Sequence, residues 1–140
     1  MLFACEATAN FRATFVSEGA KALWGYEPEE FLNGSGLWSR HIHPDDVARL
    51  LKGLACLWET GRHSHEYRFR TKSGEYRWMR DELRLLKGPT GDPLEIVGHC
   101  FDITELKVAE AALRESEARL ALIFNSTSDP QVLFRVEPDN

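Results

Sequence analysis

Two consecutive β-hairpins run directly into a charged helix between residues 66 and 125, and this order constrains the fold more than any other feature. The first hairpin joins residues 66–70 to residues 75–79 through a turn that ends in Gly74. The second turns at residues 88–93 and returns along residues 94–101. A glycine-containing turn between β-prone runs is the expected hairpin signal. The sequence therefore predicts successive antiparallel strands.

The last strand is predicted to end where a helix begins. Asp102 or Thr104 can accept a hydrogen bond from the first free amide groups of that helix. Farther along, Leu106, Leu113 and Leu120 are one heptad apart. A helix with so narrow an apolar stripe is expected to pair with a partner helix. The pattern predicts a homodimer that forms through this coiled-coil-like helix.

An earlier long helix is predicted to begin at residues 43–46 and to end at Gly61. Proline is tolerated in the first helical turn, and aspartates are favoured at the positive end of a helix. Five apolar residues at helical spacing are expected to form one face of a single continuous helix: Val47, Leu50, Leu51, Leu54 and Trp58. Before it, short strands are predicted at residues 2–6 and 11–16, and short helices before Gly25 and at residues 27–31.

Composition excludes several classes of protein. The net charge of −5 argues against a nucleic-acid partner, because the arginines of the hairpins alternate with acidic residues. The three cysteines, Cys5, Cys56 and Cys100, lack the spacing of a zinc site or a disulfide framework, which favours a reducing, cytoplasmic setting. No apolar run approaches the length of a membrane span, so no direct membrane contact is expected. A longer parent protein could still be membrane-anchored.

An ordered series of short motifs runs through the two hairpins and into the helix. They are Glu66-Tyr67-Arg68, Lys72-Ser73-Gly74, Tyr76-Arg77-Trp78, Gly98 and Asp102-Ile103-Thr104-Glu105. With His43-Pro44-Asp45-Asp46 upstream, this series resembles the PAS sensor family, in particular its C-terminal PAC segment. The resemblance implies an α+β fold: a five-stranded antiparallel sheet flanked by helices on one face and followed by a C-terminal signalling helix. The PAS/PAC domain would occupy residues 1–105.

An internal repeat suggests how the rest of the chain is organised. Residues 2–6 recur in outline at residues 133–137, about one domain length away. We therefore expect a helical linker over residues 106–126 and the start of a second, truncated PAS module over residues 127–140. The chain would then be part of a longer receptor.

Candidate ligand-pocket residues follow from alternation along the strands. Met79, Asp81 and Leu83 are expected to point inward, as are Ile96, Gly98 and Cys100, whereas Val97, His99 and Phe101 share the outer face with Tyr76 and Trp78. Asp81 is either a pocket group or, as the commoner case, the ion-pair partner of a neighbouring arginine. Cys100 is a small buried residue or a ligand contact. The predicted pocket set is Leu50, Leu54, Met79, Asp81, Leu83 and Cys100.

No cofactor or metal is predicted. His41, His43, Asp45 and Asp46 could be drawn as metal ligands, but a helix start explains the last two residues without a metal. Haem-binding relatives usually offer a histidine from the long helix, which has none here. Flavin photoreceptors of the same superfamily carry a cysteine motif where this chain has residues 39–43. An unknown small ligand remains compatible with the sequence.

The resemblance implies a non-enzymatic sensor or relay domain in a larger bacterial signalling receptor, such as a two-component histidine kinase or a diguanylate cyclase. Signal relay is expected to involve Trp78, Gly98, Asp102 and Thr104. Both faces of the last strand carry apolar groups, so the outer sheet face is expected to be covered by a helix or a second subunit. A ligand-free dimerisation spacer is the alternative. An enzyme would need an acid–base pair such as Asp81 with His99, which alternation places on opposite faces.

Overall fold

The computed structural model describes residues 1–34 and 36–127. The chain divides into a compact unit over Met1–Thr104 and a second unit that begins at Glu105. In chain order the elements are β1 Leu2–Glu6, β2 Ala13–Val16, α1 Gly19–Trp24, α2 Pro28–Leu32, α3 Leu37–His41, α4 Pro44–Gly53, α5 Ala55–Thr60, β3 Arg62–Arg70, β4 Tyr76–Lys87, β5 Pro93–Asp102 and α6 Thr104–Thr127. The proposed second module at residues 127–140 lies, apart from the last residue of α6, outside the described residues.

The five strands form one antiparallel sheet in the order β2-β1-β5-β4-β3. The predicted α+β fold with a five-stranded antiparallel sheet and a C-terminal helix is confirmed. Both hairpins turn where the sequence predicts, and the first turn fixes the register that pairs Arg70 with Tyr76. Strand β5, the last strand among the described residues, lies in the middle of the sheet. It therefore pairs with β1 on one side and β4 on the other.

Alternation divides β4 and β5 into a buried face and an outer face, as predicted. Met79, Asp81 and Leu83 are buried along β4, and Ile96 and Cys100 are buried along β5. Aromatic rings from the helices and β3 fill the space against this face, with Trp24 stacked on Phe69 at 4.3 Å between ring centroids. The inner face of the sheet is therefore where a site could lie.

The prediction of one continuous helix from residue 44 to residue 60 is wrong. The helix is interrupted at Leu54, where the Leu57 amide donates to the Leu54 carbonyl three residues back at 3.0 Å and starts α5. Leu57 is fully buried on the face that it shares with Leu50 and Leu54, whereas Leu51 is 58% exposed and Trp58 is 36% exposed. Gly53 lies just before the break and permits close packing, because a Cβ there would be 3.0 Å from Nε2 of His63.

The helices before α4 are short and held by local signals. Helix α1 ends at Gly25, whose φ of 83° is left-handed. Helix α2 begins with a capping box between Glu27 and Glu30 and has Pro28 at its first position. Helix α3 was not predicted from the sequence. Within the described residues, no helix is long and apolar enough to cross a membrane.

Candidate functional site

A cavity of about 80 Å³ lies between the inner face of the sheet and the helices. Its wall is mostly apolar and includes Phe3, Val16, Phe31, Leu54, Leu57, Leu83 and Ile96. Four side chains that carry a polar nitrogen or a carboxylate also line it: Trp24, Trp38, His65 and Asp81. For comparison, an apolar cavity of about 150 Å³ holds one benzene molecule. The space in this structure therefore suits only a very small occupant.

The structure brings half of the predicted pocket residues to the cavity wall. Leu54, Asp81 and Leu83 line the cavity. Leu50, Met79 and Cys100 are almost completely buried in the core cluster that contains Trp24 and Phe69, but they are not part of the cavity wall.

Asp81 is held in a buried hydrogen-bond network rather than in an ion pair with arginine, which corrects the commoner expectation for this residue. Nε2 of His65 lies 3.3 Å from Oδ2 of Asp81. The Tyr67 hydroxyl donates to both carboxylate oxygens, at 3.1 and 3.2 Å, and accepts from Nε1 of Trp38 at 2.9 Å. A buried carboxylate with such partners is oriented as well as stabilised.

Sequence reasoning missed the partners of Asp81. The pairing register of the first hairpin could have indicated these partners. In that register His65 of β3 lies directly opposite Asp81 of β4, and Tyr67 lies two residues farther along the same buried face. Only 7% of His65 is exposed. Trp38 belongs to α3, which the sequence did not indicate.

Ionisation of the groups around Asp81 is suppressed. Burial raises the pKa of Tyr67 well above its usual value, and the nearby Asp81 raises it further, so the phenol remains a hydrogen-bond donor. Burial, and then the charge of Asp81, also raise the pKa of the Cys100 thiol. Burial raises the pKa of Cys5, which unlike Cys100 lines the cavity, to about 12. Neither thiol is a thiolate at neutral pH, so neither is an activated nucleophile.

Two buried nitrogens at the cavity have no hydrogen-bond partner among the described residues. They are Nε1 of Trp24 and Nδ1 of His65. Buried polar groups in folded proteins are nearly always paired, so each such atom requires an explanation.

The residues considered as metal ligands have structural roles. His43 caps α4, accepting from the Asp45 amide at 3.1 Å, and Nδ1 of His41 lies 2.7 Å from the Leu37 carbonyl oxygen. Asp46 accepts three hydrogen bonds from Arg68, at 2.8, 2.8 and 3.0 Å. Across the described residues, no group of three or more histidine, cysteine, aspartate or glutamate side chains is arranged to hold a metal.

Three of the four predicted relay residues, Trp78, Asp102 and Thr104, surround the start of α6. The Trp78 amide donates to the Thr104 hydroxyl at 3.0 Å, and the Ile103 amide donates to the Trp78 carbonyl at 2.9 Å. Oδ1 of Asp102 accepts from the Thr104 amide at 2.8 Å, while its Oδ2 accepts from Nε of Arg77. Asp102 is thus the helix cap, and the Thr104 side chain bonds back to β4.

Gly98 lies apart from that junction, on β5 against the ring of Phe3. An added Cβ would be 2.3 Å from Cζ of Phe3, so only glycine fits there. On the opposite face of β5, the His99 and Phe101 rings lie 4.0 Å apart and are exposed within the Met1–Thr104 unit. In the second unit, Leu106, Leu113 and Leu120 are exposed along α6.

Comparison with known proteins identifies the family. The sequence model described as "PAS fold" matches residues 13–100. The chain is 32% identical over 135 residues to the methyl sulfide methyltransferase-associated sensor of Methanosarcina acetivorans, covering 95% of this chain and 13% of that protein. It is 31% identical over 128 residues to the two-component sensor PprA of Pseudomonas aeruginosa, covering 89% and 13% respectively.

Solved structures agree with these matches. The crystal structure of a sensory box histidine kinase/response regulator from Burkholderia thailandensis superimposes with a TM-score of 0.67 and 34% identity, covering 86% of this chain and 88% of that one. The chain spans only 13% of the length of the two curated relatives described above. Their similarity supports a sensory, non-catalytic module in signalling proteins. On the match to residues 13–100, this chain belongs to the PAS family.

Proposed function

We propose that this chain is a sensor or relay module of a larger signalling receptor, with a downstream output domain such as a histidine kinase. A small ligand or a neighbouring domain alters the sheet near the cavity, and the change passes to α6. The similar proteins from Methanosarcina acetivorans and Pseudomonas aeruginosa are both named as sensors, which supports this assignment. In this proposal residues 1–105 are the sensor, residues 106–126 the linker and residues 127–140 the start of a second module.

The observation that carries the proposal is the path along β4. Asp81 lies in the cavity wall, and three residues earlier on the same strand Trp78 exchanges hydrogen bonds with Ile103 and Thr104. Strand β5 closes the path, since it pairs Cys100 with Asp81 and then leads directly into α6. A displacement of Asp81 would therefore be transmitted to both strands that hold the first residue of α6.

The energetic requirement is small. A tenfold shift between two conformations needs only about 1.4 kcal/mol of differential binding. One hydrogen bond contributes about 1 kcal/mol, so the contact of Trp78 with Thr104 is of the right size to bias such an equilibrium. The exposed heptad leucines of α6 supply the second part of the proposed relay, because two such helices can pair in a homodimer and change register.

The test changes the hydroxyl of Thr104 in the full-length receptor. Thr104→Val removes the acceptor of the Trp78 amide at nearly constant volume, whereas Thr104→Ser keeps it. We expect the valine variant to shift the ratio of signalling states about fivefold and the serine variant to match the wild type. The readout is signal-dependent output, such as autophosphorylation of a kinase domain.

Ala111→Pro is the reference variant in which α6 is interrupted, because proline inside a helix lowers the stability of the helix by about 3 kcal/mol. Ala111→Ser is its control. If Ala111→Pro and Thr104→Val both respond like the wild type, the path through α6 is wrong.

The small cavity favours one second candidate, a ligand-free structural spacer that holds two signalling modules in a dimer. The two candidates differ in what the purified chain carries. A small molecule released on denaturation and detected by mass spectrometry supports the sensor. A core that takes up no molecule supports the spacer.

A further inference from the structure

The polar groups of the cavity define what an occupant must offer. Trp24, His65 and Asp81 are respectively 3%, 7% and 2% exposed, and all three line the cavity. Trp24 Nε1 and His65 Nδ1 lack a partner among the described residues, whereas the carboxylate of Asp81 is partly occupied. An indole nitrogen can only donate a hydrogen bond. An occupant that satisfies Trp24 must therefore carry an acceptor.

The direction of the hydrogen bonds around Asp81 shows that the occupant must also carry a hydrogen-bond donor. The Trp38 N–H donates to the Tyr67 oxygen, and the Tyr67 O–H donates to Asp81. When Asp81 is a carboxylate, Nε2 of His65 is the donor in its contact with Oδ2. In the neutral ring, Nδ1 of His65 is then a bare acceptor. Both Nδ1 and the remaining carboxylate lone pairs call for a donor on the occupant.

The charged groups of the cavity wall narrow the class of possible occupants further. An anion in this cavity would face the Asp81 carboxylate with no arginine or lysine in the wall, and the Met1 ammonium group is already bound to the Cys100 carbonyl oxygen at 3.0 Å. A cation would offer no acceptor to the Trp24 N–H. The rest of the wall, including Phe3, Val16 and Phe31, is apolar and would leave either charge poorly solvated. The chemistry therefore favours an uncharged molecule with both a donor and an acceptor.

Size and access set the remaining limits. A cavity of about 80 Å³ is roughly half the volume that holds benzene, so an occupant must be smaller than benzene. His65 also lines an open groove on the protein surface, together with Arg49, Gly53 and His63. His65 is thus common to the groove and the cavity, and movement of its side chain would open a route inward.

We propose that the cavity binds a small uncharged molecule, of the short diol or small amide class, that accepts from Trp24 Nε1 and donates to Asp81 or to Nδ1 of His65. His65 is the side chain past which the molecule enters. This inference rests on the proposed sensor function and specifies its ligand class.

The test titrates the 140-residue chain with three probes of nearly equal size: 1,2-propanediol, propionate and n-propylammonium. The readout is the ¹H–¹⁵N spectrum of the indole groups. We expect the diol alone to shift the Trp24 indole resonance saturably and downfield. The Trp58 indole is the internal reference, because Trp58 is not part of the cavity wall. Replacing Trp24 with phenylalanine is expected to weaken binding of the diol about tenfold.

Each contrary outcome has a distinct meaning. Tighter binding of propionate or n-propylammonium would overturn the ligand class while leaving a ligand-binding sensor in place. Saturable binding of xenon without binding of the diol would show that the cavity takes only apolar guests, and would likewise overturn the inference. No response of Trp24 to any probe would overturn it and favour the spacer. The wild-type titration decides these outcomes even if the phenylalanine variant does not fold, and the Thr104 variants judge the relay separately.

Discussion

Asp46 shows how one side chain ties a helix to the sheet. It lies in the first turn of α4 and receives the backbone amide and the guanidinium group of Arg68 from β3. The guanidinium carbon of Arg68 also lies 5.3 Å from the centroid of the Trp78 ring. One buried carboxylate thus anchors α4 to the strand that carries His65 and Tyr67. Part of this anchor is the Arg68 backbone amide, which needs a hydrogen-bond acceptor wherever it is shielded from water.

Asp46 also gives the clearest pH prediction. Burial raises the pKa of its carboxyl group, but the hydrogen bonds from Arg68 outweigh burial and lower the pKa from 3.8 to about 2. Because the pKa is lower in the folded state, the stabilisation is complete above pH 4 and is lost as the pH falls from about 4 to about 2. The loss should be about 2 kcal/mol, measured by urea unfolding across this range.

Asp46→Asn should remove this acid dependence and destabilise the domain by about 3 kcal/mol at pH 7, since Arg68 would lose its buried charge partner. Asp45→Asn is the matched control. Asp45 lies in the same helical turn, so it has a similar helix-dipole effect, but its side chain is 79% exposed. Equal stability of the two variants would contradict the role assigned to Asp46.

At the scale of elements, the strands could be predicted well from the sequence and the helices less well. Alternation is a local property, so the inward positions of Met79, Asp81 and Leu83 follow from residues 76–87 alone. The interruption at Leu54 could not be predicted in the same way. Leu50, Leu54 and Leu57 are four and three residues apart, so the apolar periodicity continues across the interruption and gives no sign of it.

The candidate site could be predicted only in part for a related reason. Asp81 could be placed on the inner face, but its partners His65 and Tyr67 come from β3, and Tyr67 is in turn bonded to Trp38 of α3. Counting outward from the first hairpin turn would have paired His65 with Asp81. No local signal places Trp38, because α3 has only five residues and its position depends on packing.

The contact of β1 with β5 at Gly98 gives a prediction at this scale. Gly98→Ala would place a methyl group against the Phe3 ring, 2.3 Å from Cζ, and should destabilise the domain by about 2 kcal/mol through overpacking. Gly88→Ala is the control, since its Cβ would be 3.4 Å from Leu94, an ordinary contact. Chemical denaturation measures both.

Adding Phe3→Leu to Gly98→Ala should recover part of that loss, because the two positions are directly paired between β1 and β5. Additive effects of the two substitutions would show that the ring does not limit the space at Gly98.

At the scale of the whole molecule, the exposed leucines of α6 predict the state of association. Leu113→Glu should convert a dimer into a monomer, because it places a charge in the centre of the heptad stripe. Ala118→Glu adds the same charge away from the stripe and should leave the dimer intact. Sedimentation equilibrium distinguishes the two. A monomeric wild-type chain, or equal masses for both variants, would contradict pairing through α6.

The central place of β5 has a consequence for biosynthesis. Its partners β1 and β4 are formed from earlier parts of the chain, and Leu2 pairs with His99 near the opposite end of the domain. A nascent chain that has not yet released β5 from the ribosome can form the β1–β2 and β3–β4 hairpins, but it cannot join them. Such distant pairing is slow to form. The segment translated immediately after β5 is α6, so α6 emerges from the ribosome just as the five strands first become able to form a complete sheet.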